Sequence, residues 1–226
     1  RGVPKGERLE VQYPGIQFSQ FDGAELLAEK YEISRDELDA FGLLSHQRAS
    51  QATSDGLFKN EVVPLNIKLE DGSSDVHEVD EGIRFDASLE SLQGLSPLRE
   101  GGVITAGTAS QISDGAAAIM VANQDAIEKY GLPVRAKIHS LAVVGSDPVM
   151  MLEGPIPASL KALEKAGLGI DDIDLYEVNE AFGSVPLAWA KALNASQDRL
   201  NVNGGAQALG HPLGGTGAKL LTTLVN

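Results

Sequence analysis

The chemically most suggestive stretch of the sequence is segment 201–217, in which several glycines surround His211 and the proline after it. Glycines at this density let a backbone turn sharply and approach another group closely. Residues 218–225 can continue as a helix, with Pro212 near its first turn, where proline is tolerated. The positive end of the helix dipole would then disfavour a charged imidazole at His211. A neutral histidine that acts as a base is one interpretation; a glycine-rich turn before a packing helix is the other.

A second segment, Asn179-Glu180-Ala181-Phe182, follows a predicted strand over 173–178. Together the two segments resemble the thiolase superfamily, in its branch of acyl-CoA acetyltransferases and 3-ketoacyl-CoA thiolases. That family carries an Asn-Glu-Ala-Phe motif and, downstream, an Asn-x-x-Gly-Gly-x-x-x-x-Gly-His-Pro-x-Gly-x-[Ser/Thr]-Gly motif. The run from Thr105 to Ala118 is similar to a further family segment with the pattern Thr-Ala-Gly-x-[Ala/Ser]-Ser-x-x-x-Asp-Gly-Ala-Ala-Ala.

The resemblance implies the chemistry of carbon–carbon bond formation or cleavage next to a thioester. In that family a cysteine takes up the acyl group, a histidine activates it, and a second cysteine moves the α-proton. Matched to this sequence, His211 is the activating base, and Asn179 holds a water that helps to bind the thioester oxyanion. Ser110 would contact the pantetheine arm of coenzyme A, and Ala181 and Phe182 would line its channel. Coenzyme A and acyl-CoA are implied as substrates, with no permanently bound cofactor and no metal ligands.

The sequence contains no cysteine, which excludes disulfides and thiolate chemistry within these 226 residues. The resemblance places one family cysteine upstream of Arg1 and the other downstream of Asn226. Two hypotheses follow: a piece of an acyl-CoA thiolase whose full chain is active, or a non-catalytic CoA-binding or scaffold protein. The intact histidine and asparagine motifs favour the first, because a scaffold needs neither. In both cases this chain alone is expected to be inactive, since the mechanism needs a thiolate.

The order of predicted elements favours an α/β fold. Ser34 and Glu37 form a capping-box pattern at the start of a helix, and a hairpin is expected around Asp71-Gly72. From residue 134 onward, strands and helices alternate, which predicts a mostly parallel sheet covered by helices. The predicted strands are 116–121, 134–144, 173–178 and 201–203, and the helices between them 124–130, 158–166 and 182–193.

The resemblance also implies a domain plan. Residues 1–102 correspond to the thiolase loop domain that covers coenzyme A, 103–131 to the end of the N-terminal half, and 132–226 to an incomplete C-terminal half of layered α/β/α type. One departure is the run Ser19-Gln20-Phe21, where many family members have His-Met-Gly. The length of the acyl group therefore stays open.

Composition limits the partners. The net charge of −14 argues against nucleic acid, whose binding rests largely on cationic contacts to phosphate. It is also awkward for polyanionic coenzyme A, although a few cations or a helix N-terminus suffice for phosphates. The sequence contains no run of eighteen apolar residues, so no membrane span is expected. The residues given show no signal-peptide pattern, and a cytoplasmic location is our expectation. The resemblance implies a homodimer or a dimer of dimers.

Overall fold

The computed structural model describes residues 5–226, which form a mainly helical assembly with one small sheet. None of the helices in this range combines the length and the apolar character that a bilayer crossing requires. The α-helices are α1 Glu7–Gln12, α2 Gln20–Lys30, α3 Arg35–Ser54, α4 Leu89–Gln93, α5 Gln124–Tyr130, α6 Pro155–Ala166, α7 Ser184–Leu193, α8 Ala206–Leu209 and α9 Thr216–Val225. Short 3-10 turns occupy Leu57–Asn60, Ile170–Asp172 and Gln197–Arg199, and the strands are β1 Leu65–Lys68 and β2 Ser74–His77.

Local signals in the sequence set several helix ends. At the start of α3 the Glu37 N–H donates to Ser34 Oγ at 3.2 Å, and the Ser34 N–H donates to the Glu37 carboxylate at 2.8 Å, so the predicted capping box is confirmed. Helices α5 and α6 end at Gly131 and Gly167, whose φ angles of 62° and 69° lie in the left-handed region that glycine adopts without steric cost.

The core is built around α7, which is buried along almost its whole length. Helices α2 and α6 pack against it. The Trp189 ring meets Tyr176 edge-on, with ring centroids 5.1 Å apart, and its Nε1 donates to Ser159 Oγ of α6 at 2.9 Å. The long helix α3 contributes Leu38 and Phe41 to the same core and also contacts α4 and α8. Helix α8 and the loop after it are therefore carried by the long helix α3.

The sheet differs from the sequence-based expectation. The hairpin around Gly72 is confirmed, with β1 antiparallel to β2. The predicted strands 116–121 and 134–144, in contrast, form no ladder with any part of residues 5–226. Extended backbone counts as a strand only when a neighbour accepts and donates its hydrogen bonds. Segment 134–144 instead lies along α6, where Lys165 Nζ donates to the Leu141 carbonyl at 2.8 Å.

Of the expected parallel sheet, the described residues contain one isolated bridge, which joins Tyr176 and Leu200. The Tyr176 N–H donates to the Arg199 carbonyl at 2.8 Å, and the Asn201 N–H donates to the Tyr176 carbonyl at 2.9 Å. The predicted strand over 201–203 is wrong, because the backbone of Asn201 has φ +48° and turns the chain away from the extended direction. Asparagine tolerates this left-handed conformation better than most residues.

Substitutions of two adjacent leucines on α2 test which face of this helix packs into the core. Leu27 is fully buried, whereas Leu26 is 37% exposed. We expect Leu27→Ala to lower the free energy of unfolding by about 2–5 kcal/mol, because it leaves a cavity in packed surroundings. Leu26→Ala, the matched control, should cost less than about 1 kcal/mol, since its methyl groups are partly in water already. Urea unfolding followed by circular dichroism measures both, and equal costs would contradict the packing described.

Candidate active site

His211 lies in the loop between α8 and α9. Gly210 precedes it with φ +78°, and the His211 N–H donates to the Gln111 carbonyl at 3.3 Å. A turn over 212–215 follows before α9 begins at Thr216, so Pro212 lies ahead of the helix rather than in its first turn. The histidine nevertheless lies close to the N-terminus of α9, as the glycine-rich pattern predicts.

Both nitrogens of the His211 ring have partners. Nδ1 lies 2.6 Å from Thr216 Oγ1, and that hydroxyl donates to the Pro212 carbonyl at 3.0 Å. Nε2 lies 3.4 Å from Asn179 Nδ2. All three contacts are satisfied together when Nδ1 carries the proton and Nε2 keeps its lone pair. Burial lowers the pKa of His211, and the positive charge of Lys219 lowers it further. The ring is thus arranged as a neutral base whose Nε2 lone pair faces the Asn179 amide.

Asn179 brings an amide to the same point. Its Nδ2 contacts the imidazole directly, at a separation shorter than a bridging water would need. Its Oδ1 is buried and has no hydrogen-bond partner among the described residues. An amide is a fixed dipole that can stabilise developing negative charge without itself titrating. The pair therefore combines a proton acceptor with a dipolar donor at one place.

The next residue, Glu180, is 1% exposed, and its contacts connect the segments that carry Asn179 and His211. Its carboxylate accepts hydrogen bonds from Ser45 Oγ at 2.7 Å, from Asn201 Nδ2 at 2.9 Å and from the Gln207 N–H at 3.1 Å. Burial raises the pKa of Glu180, and these three donors pull it back towards its usual value. The three donors come from α3, from the turn at Asn201 and from α8, so one carboxylate ties together the elements that hold both site residues.

Close packing around this carboxylate explains the paired glycines of the motif. A Cβ atom placed on Gly205 would lie 2.2 Å from the Glu180 carboxyl carbon. The Gly205 N–H also donates to Ser45 Oγ at 3.0 Å. On the other side, Gly204 has φ +83°, and a Cβ there would lie 2.7 Å from the Ser45 carbonyl. The backbone can approach α3 and Glu180 this closely only because neither residue has a side chain.

The residues expected to contact coenzyme A meet along a short backbone pairing. The Ser110 N–H donates to the Ala181 carbonyl at 2.9 Å, and Ala109 bridges to Phe182 in antiparallel fashion. Since Gln111 holds the His211 backbone, this pairing brings segments 109–111, 179–182 and 211 to one place. The Phe182 ring is 3% exposed and meets Phe21 edge-on at 5.4 Å. The roles of Ser110, Ala181 and Phe182 towards coenzyme A stay predictions.

Sequence reasoning missed the supporting residues. The sequence analysis assigns no role to Glu180 of the Asn-Glu-Ala-Phe motif or to Thr216 of the glycine-rich motif. Ser45 is 2% exposed, and its hydroxyl group bonds to Glu180 and to the backbone of Gly205.

Replacing Glu180 tests the anchor. In Glu180→Gln an amide group faces three hydrogen-bond donors, so at least one donor loses its acceptor. Leaving a buried donor unpaired costs about 1–3 kcal/mol, and we expect a loss of that order in the free energy of unfolding. Glu164→Gln is the matched control, since Glu164 is exposed on α6; a surface change of this kind stays within about 0.5 kcal/mol. Equal urea midpoints for wild type and Glu180→Gln would refute the anchoring role.

Comparison with known proteins identifies the family to which this chain belongs. The model of the N-terminal thiolase domain matches residues 22–125, and that of the C-terminal thiolase domain matches residues 132–226. A steroid 3-ketoacyl-CoA thiolase of Mycobacterium tuberculosis is 50% identical over 214 residues, which cover 95% of this chain and 51% of that protein.

Solved structures agree in fold. The acetyl-CoA acetyltransferase of Bacillus anthracis superposes with a TM-score of 0.88 at 39% identity, over 94% of this chain and 54% of its own. Human mitochondrial 3-ketoacyl-CoA thiolase in complex with CoA gives 0.82 at 41% identity, over 90% of this chain and 51% of its own. The chain spans about half the length of the relatives it matches. It belongs to the thiolase family and has that family's α/β fold.

Proposed function

We propose that this sequence is the central part of an acyl-CoA acetyltransferase of the thiolase type. The full-length enzyme would cleave a 3-ketoacyl-CoA with coenzyme A, or catalyse the reverse condensation. The observation that carries the proposal is the contact of Asn179 Nδ2 with His211 Nε2, while Thr216 holds Nδ1. The names of the matched relatives support this activity, and the CoA complex of the human relative supports coenzyme A as the ligand.

Each residue of the site has a role in this proposal. His211 accepts the proton of an attacking thiol through Nε2, which is why a neutral ring is needed. Asn179 holds a water that helps to bind the thioester oxygen, where negative charge develops. Ser110, Ala181 and Phe182 form the wall along which the pantetheine arm lies. The nucleophile itself must come from outside these residues, since the sequence has no cysteine.

Because these residues contain no cysteine, a second candidate function is the binding of acyl-CoA without a reaction. Assembly of a base and an oxyanion donor at one point favours the enzyme, because binding alone requires neither. The homodimer and the cytoplasmic location expected from the sequence stay predictions.

Thiolysis of a 3-ketoacyl-CoA by the longest encoded chain that contains this sequence tests the proposal. We expect turnover that is lost in His211→Ala. In Asn179→Ala we expect a fall in kcat of about 10²–10³-fold, the range seen when one oxyanion donor is removed. His139→Ala is the matched control, because His139 is exposed, and it should keep full activity.

Residues 1–226 alone should show no turnover above the uncatalysed reaction, because no thiolate is available. Turnover by this piece that depends on His211 would contradict the cysteine requirement. A full-length chain that binds coenzyme A in calorimetry but does not turn over would instead support the binding protein.

A further inference from the structure

Lys219 contacts the backbone of the loop that carries His211. It lies in the first turn of α9 and is half-buried. Its Nζ donates to the carbonyl oxygen of Leu209 at 3.0 Å and lies 3.4 Å from that of Gly210. These are the two peptide groups directly before His211. Because Thr216 of the same helix holds the imidazole, α9 fixes the histidine through its ring and through its backbone.

The surroundings of Lys219 explain how a cation can occupy this position. A positive charge in the first turn of a helix opposes the helix dipole, and burial lowers the pKa of Lys219. Four carboxyl groups act in the opposite sense and raise its pKa: Asp80 from the loop after β2, Glu177 and Glu180 from the segment before α7, and Glu61 from the chain after the first 3-10 turn. These acids therefore favour the charged form of Lys219 beside the histidine loop.

Glu177 is the acid that shares a small cavity with the site. This cavity has a volume of about 10 Å³, enough for roughly one water molecule, and Asn179, Thr216 and Lys219 also line it. Burial, followed by the charge of Glu180, raises the pKa of Glu177 to about 8. The charge of Lys219 acts against that rise. Glu177, Lys219 and the two partners of His211 thus line one small cavity.

We propose that Lys219 is a positioning residue for His211: it fixes the two carbonyls that precede the histidine, and its charge opposes protonation of the imidazole in a site surrounded by carboxyl groups. The proposal rests on the proposed function, in which His211 must be neutral to act as a base. A neighbouring positive charge disfavours the imidazolium. The downward shift of the His211 pKa, caused first by burial and then by Lys219, has this sign.

The test is a pH titration of the His211 ring by NMR in the longest encoded chain, with histidine labelled at its ring carbons and nitrogens. His211→Gln assigns the His211 signal by its disappearance from the spectrum. In Lys219→Met, which keeps the length but removes the charge, the His211 pKa should rise. In Lys219→Arg, which keeps the charge, it should stay near the wild-type value. Lys165→Met is the matched control, since Lys165 also donates to a backbone carbonyl but lies on α6, and it should leave His211 unchanged.

A further variant separates the effect of the Lys219 charge from that of its hydrogen bonds. Lys219→Gln retains a donor for one carbonyl without the charge, so it should shift the titration as Lys219→Met does. If the methionine variant does not fold, the glutamine variant carries the measurement. In active protein the acid limb of the kcat/KM profile should move to higher pH with the NMR value.

An unchanged His211 titration in the folded methionine or glutamine variant would overturn the proposal. The NMR result does not depend on turnover. If the wild-type protein is inactive but the substitution of Lys219 shifts the His211 titration, the proposed function is rejected and the role of Lys219 is supported. If the protein is active but the titration does not shift, the proposed function is supported and the role of Lys219 is rejected.

Discussion

The Glu180 carboxylate lies where α3, the turn at Asn201 and the start of α8 converge, and it accepts a hydrogen bond from each of them. Removing a charge from water costs several kcal/mol unless partners replace the solvent. Here every one of those partners is a donor, so the site is arranged for an acceptor. Because Asn179 is the adjacent residue and α8 leads into His211, the same bonds locate both groups of the site. The relative position of Asn179 and His211 thus depends on the neighbouring Glu180, whose carboxylate contacts neither side chain.

Asn201 shows how the backbone pairing near the site is extended by a side chain. After Leu200 the chain turns away from Tyr176, and the backbone of Val178 would lose its neighbour. The Asn201 amide takes that place: its Oδ1 accepts from the Val178 N–H, and its Nδ2 donates to the Val178 carbonyl, both at 2.8 Å. The remaining hydrogen of Nδ2 goes to Glu180. One side chain therefore ends a strand pairing and joins it to the buried carboxylate.

The sequence predicted those features that depend on neighbouring residues. The capping box at Ser34, the hairpin at Gly72 and the end of α6 at Gly167 each follow from a few adjacent side chains. The proximity of Asn179 and His211 was expected from the motif resemblance. Ladders for 116–121 and 134–144 were expected from alternation, but alternation specifies which face is apolar and does not supply a partner.

The supporting contacts were harder to predict because they are long-range. Ser45 meets Glu180 across 135 positions of sequence, and nothing near a serine in the middle of a helix indicates such a partner. Lys219 was equally hidden, since a lysine on a predicted helix is usually solvated. Residues of this kind become visible only when the packing of α3 and α9 is known.

Thr216 combines two duties in one hydroxyl group, as the first residue of α9 and as the link from the imidazole to the Pro212 carbonyl. Valine has the same shape and would fill the same space, but it would leave the imidazole N–H without an acceptor. Serine would keep the link and lose only a methyl contact. The contact with the imidazole therefore requires a hydroxyl group at this position, and a side chain that only matches the volume of threonine is not sufficient.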